Sequence, residues 1–183
     1  MLKQLVKKLL NKISGRGVTV DLLRKHGAIV GDNVKLYCFE CNSKDATCLE
    51  IGNNVTLTGV QVLTHDASLE LFTENRATKV GRVVIGNNVF VGIRSIILPN
   101  VHIGNNVIIG AGSVVSSDIP DDSVAVGNPA EVIGSVSAYI SKHQNRMCAD
   151  NTFVNLARDK MNPEEIKAFN RKIDGKIVYL IDE

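Results

Sequence analysis

From Ile85 onward the chain places an aliphatic side chain at every sixth position: Ile85, Val91, Ile97, Ile103, Ile109 and Val115. The next residue is often glycine (Gly86, Gly92, Gly104, Gly110), and four residues after each aliphatic comes a small or medium side chain: Val89, Ser95, Val101, Val107, Ser113, Ile119. A helical face repeats every 3.6 residues and a half-buried strand every two, so a period of six fits neither. It predicts a coil of short strands, with one inward side chain and one tight turn per hexad. A longer period lies on top. Ile-Gly-Asn-Asn-Val stands at 51–55, 85–89 and 103–107, and Val-Gly-Asp-Asn-Val at 30–34. The last two copies are 18 apart, which is three hexads and one turn of a three-sided solenoid. From 30 to 51 is 21, or 18 plus 3, and from 51 to 85 is 34, or 18 plus 16. The same corner therefore recurs once per turn, with about 16 extra residues extruded within Thr64–Arg82. Asn and Gly recur at that corner, on this reading, because both tolerate positive φ.

The pattern changes at both ends. Leu2, Leu5, Val6, Leu9, Leu10 and Ile13 fall at helical spacing with lysines on the other side, predicting an amphipathic helix. It reads as a cap on the first coil or on a neighbouring subunit. The sharper alternative is a basic helix over residues 1–16 lying on an anionic membrane surface. Near the C-terminus, Asn162-Pro163-Glu164-Glu165 predicts an N-cap, a proline in the first turn and a short helix to about Arg171. Asp174-Gly175 should then turn into an exposed strand or tail over 176–182. Three regions follow: a cap over 1–27, a solenoid over 28–134 with its extruded loop at 64–82, and a helical extension over 135–183. A solenoid coil buries a face only against its neighbours, which is why both ends need covering.

Composition agrees. Among 183 residues stand 23 Val, 17 Ile, 17 Asn and 15 Gly, but only eight aromatics and no Trp. β-branched residues alternating with turn formers disfavour an all-helical protein. Net charge is +2, with seven Lys/Arg against Asp21 in residues 1–25, so the remaining body is mildly acidic. That balance, with no aromatic–basic motif, argues against nucleic-acid binding. No apolar run approaches membrane-spanning length, and the lysine-studded start does not read as a secretory signal. The cytoplasm is then the expected compartment. Cys38 and Cys41 have zinc-knuckle spacing, but no second pair follows, so reduced thiols and no metal are expected.

A solenoid gains no core from an extruded loop, and long loops are often functional. His65 stands at the root of this one. His26 lies in the basic lead-in, His102 at an outward hexad position and His143 in the C-terminal segment. Position alone leaves His65 open between catalysis and a surface turn. A γ-type carbonic anhydrase would need a close histidine pair, whereas these four are 39, 37 and 41 residues apart.

Leu63-Thr64-His65-Asp66, the loop, Ile85-Gly86-Asn87-Asn88-Val89-Phe90-Val91-Gly92, then Ile109-Gly110-Ala111-Gly112-Ser113-Val114-Val115, Asp118-Ile119-Pro120 and Val126-Gly127-Asn128-Pro129-Ala130 resemble the hexapeptide-repeat acetyltransferases. The likeness is to the sugar O-acetyltransferase branch, which includes the galactoside, maltose and nodulation-factor enzymes. The layout is closest to the short acetyltransferases of polysaccharide biosynthesis. The resemblance implies an all-β solenoid, a left-handed parallel β-helix, assembled as a homotrimer with acetyl-CoA lying between subunits. It implies transfer of an acetyl group to a hydroxyl of a sugar or surface glycan, with His65 as general base. Asn42 and Asp66 match acceptor-site positions, Asn42 with spacing two residues shorter than in the lactose-type enzymes. Gly92, Ile93, Gly110, Ala111, Ser116 and Ser117 match cofactor-contact positions. Where relatives carry arginines near the CoA phosphates this chain has Glu131 and Gly134, which leaves Arg94 or Lys142 as candidates. The rival readings are N-acetylation of a nucleotide-linked amino sugar and a non-catalytic β-helix scaffold. The absence of a nucleotide-recognition domain ahead of the coil favours a hydroxyl acceptor.

Overall fold

The computed structural model describes residues 18–41 and 43–182. The expected N-terminal amphipathic helix and Asn42 lie outside them. The chain divides into two compact units, 1–137 and 138–183.

The first unit is a parallel β-helix. After helix α1 (Val20–Lys25), each of the first four coils contributes three short strands to the walls. The first coil holds β1 (Ile29–Val30), β2 (Lys35–Tyr37) and β3 (Glu40–Cys41). The second holds β4 (Leu49–Ile51), β5 (Thr56–Thr58) and β6 (Gln61–Val62), followed by an arm carrying β7 (His65–Asp66) and β8 (Lys79–Val80). The third holds β9 (Val83–Ile85), β10 (Val89–Val91) and β11 (Ile96–Ile97). The fourth holds β12 (His102–Ile103), β13 (Val107–Ile109) and β14 (Val114–Val115), and the last β15 (Ser123–Val126) and β16 (Glu131–Ser135). Equivalent strands stack in parallel into three walls, β1-β4-β9-β12, β2-β5-β10-β13-β15 and β3-β6-β11-β14. In the second wall β16 adds antiparallel to β15 and so ends the parallel run.

All six aliphatics of the period are buried, each at most 1% exposed, as are the six residues four positions later. Each hexad therefore points two side chains inward, not one. The pairs Glu50↔Val84 and Val84↔His102 put equivalent corners 34 and 18 residues apart. In the third wall, however, Val62 pairs with Ile97, an offset of 35. Coil 2 thus turns one corner in five residues, Leu57 to Val62, where coil 3 uses six, Val91 to Ile97. The extruded segment carries 17 extra residues, and the shortened corner hides one of them from the sequence arithmetic.

The recurring Ile-Gly-Asn-Asn-Val corner also works differently from the sequence reading. Positive φ falls on the second Asn, at 53°, 57°, 56° and 55° for Asn33, Asn54, Asn88 and Asn106. The glycines are needed for closeness instead: a Cβ on Gly52 or Gly86 would lie 2.7 or 2.6 Å from the next coil's glycine carbonyl oxygen. Both asparagines form ladders. The side-chain oxygen of Asn87 accepts the Asn53 backbone N–H at 2.8 Å, and that of Asn105 accepts the Asn87 N–H at 2.9 Å. Asn88 donates to the Asn106 side chain at 3.0 Å. Asp121 ends the inner ladder by accepting the Asn105 N–H at 2.7 Å, and hydrogen bonds from Asn105 lower its carboxyl below the ordinary range.

Helix α1 closes the open first coil. Its Leu23 is fully buried, and Arg24 donates to the carbonyls of Val30 and Gly31 at 2.7 to 3.1 Å. Helix α2 (Val136–Gln144) spans the junction of the two units. The second unit holds β17 (Thr152–Val154), α3 (Pro163–Ile173) and β18 (Tyr179–Ile181). Helix α3 has the expected cap: the Asn162 side chain accepts the N–H groups of Glu164 and Glu165, and Glu165 accepts the Asn162 N–H. Residues 179–181 are not a loose tail, because β18 pairs in parallel with β17. Among the described residues no helix is long and apolar enough to cross a membrane, and no group of three His, Cys, Asp or Glu could hold a metal ion.

Candidate active site

His65 leaves the solenoid where the third wall ends. Leu63 still donates to the Ile97 carbonyl at 2.9 Å, and Thr64 is 1% exposed. His65 then starts the outgoing limb of the arm, half-buried, opposite Val80 on the returning limb. Behind it, Gly81 donates to the Thr64 carbonyl at 2.8 Å. Ahead of it, Asp66 faces Lys79 with Oδ2 to Nζ at 2.5 Å, and its other oxygen accepts the Ser68 N–H at 2.8 Å. The Lys79 hydrogen bond first, and those from Ser68 second, hold the Asp66 carboxyl well below the usual carboxylate range. The arm's far end exposes Leu71 and Phe72, each 83% accessible.

The arm root borders a cleft of about 280 Å³ lined by Asp66, Lys79, Gly81, Pro99, Asn100 and Ser116 among others. Gly81 makes that arrangement possible, since a Cβ there would lie 2.5 Å from the Asn100 nitrogen. Lys79, Gly81 and Asn100 escaped the sequence reading. The signal available was a charge-complementary pair, Asp66 and Lys79, bracketing the insertion, with glycine at its closing end.

The six expected cofactor residues fall on two corners flanking the third wall. Gly92 and Ile93 of coil 3 and Gly110 and Ala111 of coil 4 lie between the second and third walls. Ser116 and Ser117 lie at the opposite corner, following β14, on the side of the arm and the cleft. The amides of Gly92 and Gly110 are engaged in the coil, donating to Ile109 and Ala125 at 2.8 and 2.9 Å. The Gly110 carbonyl accepts the hydroxyls of Ser95 and Ser113. These glycine amides are therefore not available as donors, and a Cβ on Gly92 or Gly110 would lie 2.5 Å from the Ala111 nitrogen or 2.6 Å from the Val126 side chain, so coil spacing requires both glycines. Ile93 is exposed, and Arg94 beside it has φ of 61° at the same corner. Lys142 belongs to α2, beyond the boundary of the first unit.

A family profile described as bacterial transferase hexapeptide (six repeats) matches residues 82–117. Protein CapG of Staphylococcus aureus is 44% identical over 142 residues, 75% of this chain and 83% of that one. A maltose O-acetyltransferase from Clostridium difficile 630 superposes with a TM-score of 0.55 at 32% identity, over 70% of this chain and 83% of that one. A hexapeptide-repeat containing acetyltransferase from Vibrio cholerae, solved with acetyl coenzyme A, superposes with a TM-score of 0.53. At 23% identity over 63% of this chain and 75% of that one, its likeness is one of fold.

Proposed function

This chain belongs to the hexapeptide-repeat acetyltransferases, and from that premise we propose that it moves the acetyl group of acetyl-CoA to a hydroxyl of a sugar or surface glycan, with His65 as general base. The observation that carries this reading is the position of His65 at the root of the arm, where the next residue, Asp66, and the facing Val80 line a cleft that a sugar ring could enter. An acetyl thioester is already activated. The protein's main task is then to take the acceptor proton as the hydroxyl oxygen attacks the carbonyl carbon and the C–S bond breaks. A neutral imidazole suits that task near physiological pH. The developing oxyanion needs a donor, and a backbone N–H of the coil other than the engaged amides of Gly92 and Gly110 would supply it.

Asp66 lines the cleft and would contact the acceptor through lone pairs left over from Lys79 and Ser68, with Asn42 supplying a second contact. Gly92, Ile93, Gly110 and Ala111 would form the pantetheine wall, and Ser116 and Ser117 the opposite edge. The left-handed sense of the coil belongs to the same reading. So does a homotrimer, in which a neighbouring copy would cover Ile93 and the arm's Leu71 and Phe72, all exposed in the single chain. A cytoplasmic location completes the proposal, with residues 1–16 covering the first coil or a neighbouring subunit and contact with the inner membrane face as the alternative.

The test is release of free thiol from acetyl-CoA across a panel of sugars, sugar nucleotides and bacterial glycans. Turnover with a hydroxyl acceptor is expected. Turnover confined to an amino-sugar nucleotide would replace this reading with N-acetylation, and failure to bind acetyl-CoA would leave only a scaffold.

A further inference from the structure

We infer that Lys79 is a positioning residue for the proposed reaction: its ammonium clamps Asp66 across the arm and so fixes the backbone that aims His65. The inference rests on the reading of His65 as base, and extends it to a residue of the cleft wall that acts on His65 through Asp66.

The strands β7 and β8 pair only two residues each, His65↔Val80 and Asp66↔Lys79. Two antiparallel pairs at the root of a surface arm make a weak ladder on their own. Four ties along the arm decide how firmly it stands. Nearest the solenoid, the Gly81 N–H donates to the buried Thr64's carbonyl at 2.8 Å. Next comes His65 opposite Val80, then the Asp66–Lys79 pair at 2.5 Å. Beyond that, Glu70 accepts the Thr78 hydroxyl at 2.5 Å and lies 3.8 Å from Arg76. His65 is thus held from both sides. On one side is the rigid coil, and on the other a single carboxylate bonded to the returning limb through Lys79 and to the outgoing limb through the Ser68 N–H.

Both partners are substantially exposed, 56% for Lys79 and 38% for Asp66. Such pairs add little to global folding stability. The effect of removing this one should therefore be local, a wider spread of His65 positions with an intact solenoid behind it. A general base displaced from its proton loses rate steeply, because proton transfer needs hydrogen-bond reach.

The experiment compares Lys79→Met, which keeps the stem and deletes the charge, with Lys79→Arg and with His65→Ala. Each is assayed for kcat and for the KM of both substrates, and hydrogen exchange is followed across 66–80. Lys79→Met should lose about five- to tenfold in kcat, with KM for acetyl-CoA within about twofold and with faster exchange in the arm alone. Lys79→Arg should recover most of the loss, since a guanidinium also pairs with a carboxylate. A Lys79→Met enzyme within about twofold of wild-type kcat while His65→Ala is inactive would overturn the inference and leave the proposed function standing. An inactive Lys79→Met that Lys79→Arg does not rescue would also overturn it. An active His65→Ala would instead remove the base assignment, and the positioning role with it.

Discussion

A side-chain carbon on Gly86 would sit 2.6 Å from the carbonyl oxygen of Gly104 on the next coil, closer than a carbon and an oxygen can approach without displacement. The corner glycines are therefore fixed by coil-to-coil spacing. Gly86→Ala should destabilise the protein by about 1–3 kcal/mol through overpacking, measured by denaturant unfolding. A variant as stable as the wild type would show that the coils can part at this corner.

Ile103 is fully buried and stacks on Ile85 below it, with a bridge to Ile119 above. Ile103→Ala should cost about 2–5 kcal/mol, because a solenoid held apart by its backbone ladders cannot collapse into the space. A cost below about 0.5 kcal/mol would contradict the interior assigned to that position.

The acid side of the pH dependence separates His65 from Asp66. Lys79 and Ser68 hold the Asp66 carboxyl below its ordinary value. A depressed folded value means that its contribution to stability is present above the unfolded value of ~3.9 and is lost as pH falls through the folded one. The arm clamp accordingly stays closed across the range in which an imidazole gains its proton. Activity should fall on the acid side of neutrality while hydrogen exchange in 66–80, corrected for intrinsic rates, stays level. Arm exchange rising in step with the loss would assign the acid limb to the clamp.

The proposed trimer makes a prediction of its own. Sedimentation should give a mass three times that of the 19.8 kDa chain, and activity should vanish on dilution to monomer. A fully active monomer would show that the site is complete within one chain.

Much of this architecture is legible from residue spacing. Ile85, Val91 and Ile97 announce the hexad, and three copies of one pentapeptide announce the turn. Less visible is anything that depends on stacking between coils. Gly86 and Asn88 look alike as turn formers in the sequence, yet one is selected by the carbonyl above it and the other by φ. Insertion length was similarly masked, because the deletion between Leu57 and Val62 offsets one residue of the arm. The pairing of β18 with β17 joins segments 27 residues apart with no shared motif, so nothing local signals it. At the site, His65 was accessible as the histidine at the loop root. Lys79 was not, because its meaning comes from the antiparallel register that sets it across from Asp66.

The most direct measurement is the turnover of His65→Ala beside His102→Ala and His143→Ala, with acetyl-CoA affinity and oligomeric state followed in each. A positioned general base contributes roughly 10²–10⁴ in rate, so His65→Ala should lose about that factor in kcat while still folding, assembling and binding acetyl-CoA. His102, exposed on the first wall, and His143, whose Nδ1 lies 3.0 Å from the Tyr179 hydroxyl, should be replaceable with most activity kept. If His65→Ala keeps more than about a tenth of wild-type turnover, the proton goes elsewhere and the site drawn around the arm root is wrong.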